Sequence, residues 1–375
     1  MKVLVEENAG VRKVILNRPK KLNSLTYEMI VEMLKKFKVY ENDPMVKLVI
    51  LKGNGRAFSA GGDVLAVYNF TTAGHWSFAA SFYRKQLTLD YLLATYKKPL
   101  VSILNGIVMG GGAGLSMHSR FRIVTENTLF AMPEASIGLF PDVGASHFLS
   151  RLPGFFGEYL GLTGARLVGT EMLACGLATH FILAKDLVSL ENALRVVGSL
   201  DVSDISTISD IIVRFVHKVH IKQDSAYSRL DIINECFSRE TVEEILLSLE
   251  NFSANREEKW IIKAINYMKS ASPTSLKLSL RSIRKGRIQK LEQCLIHEFN
   301  VFCHILRRTV NDDFFEGSRS MLVDKNKNPQ WQPSKLELVT EEMLTKCFDK
   351  VDDDDWESLQ LPAKSNQSFI LESKL

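Results

Sequence analysis

The stretch that decides the fold runs Asn105-Gly-Ile-Val-Met-Gly-Gly-Gly-Ala-Gly-Leu115 and closes on Ala131-Met-Pro-Glu-Ala-Ser-Ile-Gly-Leu-Phe-Pro-Asp142. An apolar run, Leu100 to Leu104, precedes it and breaks at Asn105-Gly106. Gly110, Gly111 and Gly112 then lead into small, helix-compatible residues, which reads as a strand-to-helix turn. Glycines at such a turn let another group approach the backbone closely. The helix that starts there presents unpaired N–H groups and the positive end of its dipole. That suits an anion, or an oxygen that becomes one during a reaction. Downstream stand two carboxylates, Glu134 and Asp142. Donors for negative charge with acids close by suggest acyl-group chemistry.

Outward from this stretch, the composition is that of a soluble globular chain. Hydrophobic residues make up 46% and charged residues 24% of 375 positions, enough for a large core. The net charge of +4 is scattered, with no basic stripe interleaved with aromatics, so nucleic acid is not an expected partner. No apolar run reaches the length of a membrane span. The five cysteines are widely spaced and contain no Cys-x-x-Cys pair, which argues against structural zinc and a disulfide framework.

The first half alternates short β-like runs with helical ones. Val11 to Leu16, Val46 to Leu51, Leu100 to Leu104 and Phe121 to Thr125 are expected strands. Thr26 to Val39 and Phe78 to Leu93 carry apolar residues at helical spacing. Such alternation indicates an α/β class with helices packed on sheets. From Asp186 onward helical signals take over. Thr241-Val-Glu-Glu244 has the spacing of a capping box. Ser272-Pro273 supplies an N-cap and a first-turn proline for a helix through Ile283. Leu291 to Leu306 is a further long helix, and Asp312 to Pro333 is less periodic. The acidic run Asp352 to Asp355 reads as a solvated loop.

Several stretches together resemble the crotonase (enoyl-CoA hydratase/isomerase) superfamily. Leu16-Asn-Arg-Pro-Lys-Lys-Leu-Asn-Ser-Leu25 resembles its N-terminal signature. Phe58-Ser-Ala-Gly-Gly-Asp63 and Asn105-Gly-Ile-Val-Met-Gly-Gly-Gly112 are similar to its two backbone-donor loops. Met132 to Gly144, Ser272 to Lys277 and Val323 to Trp331 resemble the 3-hydroxyisobutyryl-CoA hydrolase branch. The resemblance implies an α/β, ClpP/crotonase-like spiral of repeated ββα units over residues 1–190, carrying the acyl-CoA site. A helical region over 191–360 is expected to pack on it, followed by a flexible tail over 361–375. The tail ends Ser373-Lys374-Leu375, the tripeptide read by the peroxisomal import receptor, which makes the peroxisome the expected location. With that ending, the chain looks most like the plant peroxisomal members.

The implied activity is hydrolysis of 3-hydroxyisobutyryl-CoA, or of a related β-hydroxyacyl-CoA, in valine breakdown. An isomerase using one glutamate and a weakly active acyl-CoA-binding protein are the alternatives. The resemblance assigns the oxyanion-stabilising N–H groups to Ala60 and Gly111, and the acids to Glu134 and Asp142. Glu134, expected to be partly desolvated, would activate water or attack the thioester itself. Asp142 would hold the 3-hydroxyl or exchange a proton with the leaving thiolate. Hydratases of the superfamily place a second glutamate where this chain has Gly114. The branch usually has a substrate-contacting glutamate where this chain has Gln86, a weaker acceptor. Restoring a glutamate there is expected to sharpen preference for hydroxylated acyl chains. No metal or redox cofactor is called for, and a homo-oligomer is compatible with the family.

The remaining polar features have plainer readings. His217-x-x-His220 has helical spacing without an acidic ligand cluster. His147 is expected as a structural neighbour of Asp142. Lys20, Lys21 and Arg56 either meet CoA phosphates or are solvated. Trp76, Phe78, Phe82 and Tyr83 read as core.

Overall fold

The computed structural model describes residues 1–198, 205–255 and 258–362. Ser373, Lys374 and Leu375, on which the targeting reading falls, lie outside the described residues. Among the described residues, ten strands make two sheets. The larger holds β1 (Val3–Asn8), β2 (Val11–Leu16), β3 (Leu48–Gly53), β5 (Leu100–Leu104), β7 (Phe121–Val124) and β10 (His180–Phe181), in that order. The smaller holds β4 (Ala57–Ser59), β6 (Ile107–Met109), β8 (Leu129–Ala131) and β9 (Leu167–Val168), also in order. Apart from the β1–β2 hairpin and the β8–β9 pair, neighbouring strands are parallel.

The chain writes each turn of a spiral in the same way. A strand of the large sheet (β3, β5, β7) is followed directly by a strand of the small sheet (β4, β6, β8), and then by a turn or helix. The central strands β3, β5 and β7 are buried on both faces, as parallel strands under helices must be, whereas the edge strand β1 is largely exposed. Leu48, Ile50, Val101 and Ile123 pack towards Leu190, Leu194, Ile208 and Ile212 of the helices Leu187–Arg195 and Ile205–Val213. Their neighbours Val49 and Leu51 point the opposite way, into the main core.

Helix α1 (Tyr27–Asn42) starts at Thr26, whose hydroxyl accepts from Met29 N–H at 3.4 Å. Helices α2 (Val64–Ala73) and α3 (Trp76–Ala94) form a hairpin beside it. The glycine cluster opens α4 (Gly111–Ser116). After the second acid come α5 (Ala145–Leu149) and α6 (Phe156–Thr163). The helix Pro273–Gly286 approaches α5 so closely that a Cβ on Gly286 would stand 1.8 Å from Ser146 O. The helix Leu291–Leu306 lies against α3, with Phe302 and Tyr83 ring centroids 4.0 Å apart. The C-terminal helices thus reach into the first half of the chain and complete its core.

Candidate active site

Strands β4, β6 and β8 are parallel neighbours, and the segments leaving their carboxyl ends meet at one place. Those segments are Ala60–Gly62, Gly110–Gly111 and Pro133–Glu134. They line a cavity of about 180 Å³ together with Gln86 and Asp142. Placement beyond the carboxyl ends of parallel strands is where α/β sheets generally bind ligands.

The loop after β4 is braced by the N-terminal signature. Asn23 Nδ2 donates to Asn54 O at 2.9 Å and to Ala57 O at 2.8 Å, and Ser59 Oγ donates to Asn23 O at 3.0 Å. Leu25 N–H donates to Gly61 O at 2.8 Å, and Asp63 N–H to Leu25 O at 2.9 Å. This bracing corrects one expected donor. Ala60 lines the cavity, but its N–H is donated to Leu22 O at 2.9 Å and is not free for a ligand. On this wall the N–H groups of Gly62 and Gly111 have no acceptor among the described residues. They are adjacent, since a Cβ on Gly111 would stand 3.2 Å from Gly62 N.

Glu134 opens a short 3-10 turn, Glu134–Ile137, directly after Pro133. It is 7% exposed, and its Oε2 is buried without a hydrogen-bond partner. Burial pushes its carboxyl well above the usual range, and the charge of Asp142 adds to the rise. Asp142 is 8% exposed, and burial pushes its carboxyl up to about 7. The Tyr83 hydroxyl beside Asp142 pulls the other way, although it makes no well-aligned hydrogen bond. The next residue, Val143, has φ +56°, which is strained for a β-branched side chain. Glu298 anchors this turn, accepting from Gly144 N–H at 2.6 Å, Ser146 N–H at 3.0 Å and Ser146 Oγ at 2.5 Å.

On the wall formed by α3, Gln86 Nε2 donates to Asp90 Oδ1 at 2.8 Å. Beneath it, Gly114 leaves no room for a side chain: a Cβ there would meet Val143 Cβ at 2.7 Å and Asp90 Oδ2 at 2.8 Å.

The sequence pattern of the family described as enoyl-CoA hydratase/isomerase matches residues 11–348. The chain belongs to the enoyl-CoA hydratase/isomerase family. It is 54% identical over 365 residues to a protein named probable 3-hydroxyisobutyryl-CoA hydrolase 3 of Arabidopsis thaliana, covering 97% of this chain and 96% of the relative. Identity to 3-hydroxyisobutyryl-CoA hydrolase 1 of the same plant is 54% over 373 residues, covering 100% and 97%. A solved structure titled as a carnitinyl-CoA dehydratase from Mycobacterium thermoresistibile matches with a TM-score of 0.86 at 33% identity, over 97% of this chain and 99% of that one.

Within this enoyl-CoA hydratase/isomerase chain, the other singled-out residues scatter. Lys20, Lys21 and Arg56 are exposed. His147 is absent from the cavity wall and packs its ring 5.4 Å from that of His118. His217 and His220 lie beyond the end of the helix Ile205–Val213, so their helical spacing is not realised, and His217 faces Asp186 at 3.7 Å. Phe82 and Tyr83 are buried as expected and also line the cavity, whereas Phe78 is 63% exposed. Sequence reasoning missed Glu298 and Asp90. Glu298 lies far along the chain in an apolar helix, and Asp90 has only its spacing from Gln86 as a signal.

Proposed function

We propose that the chain hydrolyses the thioester of 3-hydroxyisobutyryl-CoA, or of a close β-hydroxyacyl-CoA, to the free acid and CoA. One observation carries the reading. Two adjacent, unclaimed N–H groups, Gly62 and Gly111, share a cavity with the partner-free carboxyl oxygen of Glu134. The names of the Arabidopsis relatives supply the acyl group.

In this reading the thioester carbonyl oxygen sits against the Gly62 and Gly111 N–H groups. They stabilise the negative charge that develops on it under attack, and loss of one such donor costs about 10²–10³ in rate. Glu134 delivers the attack, either by taking a proton from water or by adding its own oxygen to form an anhydride that water then opens. Each route consumes one water and returns Glu134 to its starting state. Asp142, held near neutrality by burial, gives a proton to the departing thiolate or binds the 3-hydroxyl. A single turnover in ¹⁸O-water that leaves label in Glu134 identifies the anhydride route, with water opening the anhydride at the Glu134 carbonyl.

Hydration of a double bond is disfavoured by Gly114, which is packed under Asp90 and offers no second glutamate. The decisive test is thiol release by Glu134→Gln. Turnover should fall at least about 10³-fold while acyl-CoA still binds. Near-normal turnover would sink the assignment. The Ser373-Lys374-Leu375 ending supports a peroxisomal location, reached through the import receptor that reads this tripeptide.

A further inference from the structure

Asp90 is a buried acid for which the proposed chemistry has no use. It is 1% exposed, does not line the cavity and forms no ion pair among the described residues. Its one hydrogen-bond partner among them is Gln86, one helical turn earlier on the same face of α3. Asp90 Oδ1 accepts from Gln86 Nε2, and Asp90 Oδ2 is pressed against the bare backbone of Gly114.

An amide has two chemically opposite ends, so fixing one fixes the other. With Nε2 tied to Asp90, the free end of Gln86 is the carbonyl oxygen, Oε1. That atom is buried without a partner, and Gln86 forms part of the cavity wall. A buried acceptor left unmet is costly, and a ligand hydroxyl would satisfy it.

Building on the hydrolase reading, we propose that Asp90 is a positioning residue. Its carboxyl orients the Gln86 amide so that Oε1 faces the acyl group and accepts a hydrogen bond from the substrate's hydroxyl. Burial pushes the Asp90 carboxyl well above the usual range; the Gln86 donor works against this, and the charges of Asp142 and Glu298 add to it. What pairs an amide at position 86 with Asp90 is the donor that Nε2 places 2.8 Å from Oδ1. A glutamate there would set one carboxyl against another across the same 2.8 Å gap. The expectation that Gln86→Glu alone sharpens hydroxyl preference changes accordingly. The exchange should succeed only when Asp90→Asn supplies a donor for the new carboxylate.

The measurement is the ratio of kcat/KM for 3-hydroxyisobutyryl-CoA over isobutyryl-CoA at pH 8, with thermal unfolding as a check on the fold. Asp90→Leu, which frees the amide, should lower the ratio about tenfold, and Asp90→Asn, whose carbonyl still accepts from Nε2, should hold it within about threefold. Gln86→Glu should lower the ratio, and the double variant Gln86→Glu with Asp90→Asn should bring it back. A merely structural Asp90 does not produce that rescue. The proposal is overturned if folded Asp90→Leu keeps the wild-type ratio, or if the double variant is no better than Gln86→Glu. Should Asp90→Leu not fold, the rescue comparison decides alone. Absence of CoA release from either thioester by the wild type would bring down the hydrolase reading and this one together. A release that is active but indifferent to Asp90 removes only this one.

Discussion

Gly110 and Glu134 are in direct contact: a methyl group on Gly110 would stand 2.9 Å from Oε1 of Glu134. Gly110 also has φ +48°, in the left-handed region that favours glycine. The position therefore controls how closely the acid approaches the donor wall. Gly110→Ala is expected to displace Glu134 and lower kcat at least about 100-fold, because misplacement by an ångström is that costly. The accompanying backbone strain should cost about 1–3 kcal/mol in urea unfolding. A variant with normal kcat would show that Glu134 is not held at a working distance by this contact.

Asp142 and Glu134 should titrate with reference to each other. Glu134 acts as base or nucleophile only when ionised, and its carboxyl is raised first by burial and then by the charge of Asp142. Asp142→Asn removes the second cause. The rising limb of kcat/KM against pH should move to lower pH in that variant, whatever happens to its height. A limb that stays in place would mean the two acids do not sense each other.

The same acid makes a signed contribution to stability. Its carboxyl titrates at about 7 in the folded chain, against about 4 in an unfolded one. Stability is therefore favoured below the unfolded value and lost as pH rises through the folded one. The wild-type Tm should fall between about pH 4 and 7, and Asp142→Asn should flatten that decline. Parallel curves for the two proteins would contradict the shift.

Glu298 holds the turn that carries Asp142. Replacing it with glutamine sets an amide NH₂ against one of the N–H donors it now satisfies. Glu298→Gln is expected to lose about 1–3 kcal/mol in urea unfolding, because a buried donor is left unmet. Turnover should fall more than KM changes, since the strained Val143 next to Asp142 loses its anchor. Unchanged turnover would make Glu298 a purely structural acid.

The tail reading makes a prediction of its own. Deleting Ser373–Leu375 should leave thioester hydrolysis unchanged, because Glu134, Asp142 and the Gly62 and Gly111 donors all lie far earlier in the chain. A fluorescent fusion lacking the tripeptide should remain in the cytosol. Peroxisomal residence of the truncated fusion would refute the reading.

Long, periodic elements were legible in the sequence because one physical rule decides each of them. Strands β2 and β5 and the helix Leu291–Leu306 lie where the apolar pattern put them. Thr241 and Glu244 form the expected capping box, with Glu244 N–H to Thr241 Oγ1 at 3.1 Å and Thr241 N–H to Glu244 Oε2 at 3.2 Å. The strand expected from Val46 begins at Leu48, because Val46 N–H closes a turn onto Asp43 O at 3.1 Å. Strands β4, β6 and β8 span three residues each, too short for any period to show. The donor motif was recognisable, but which of its N–H groups is free depends on Leu22, which the motif does not contain. Tyr83 was read as core, which it is, yet its hydroxyl end belongs to the site.

The packing around Gly114 bears on the chain's evolutionary options. Here a glutamate introduced at position 114 would collide with Asp90 and Val143, and Asp90 is itself tied to Gln86. Acquiring a second acid at that position would need several coordinated substitutions, with the single-step intermediates expected to be misfolded or inactive. Such a neighbourhood works as a ratchet: while Asp90 and Val143 fill the space above Gly114, no single substitution at that position supplies a second acid.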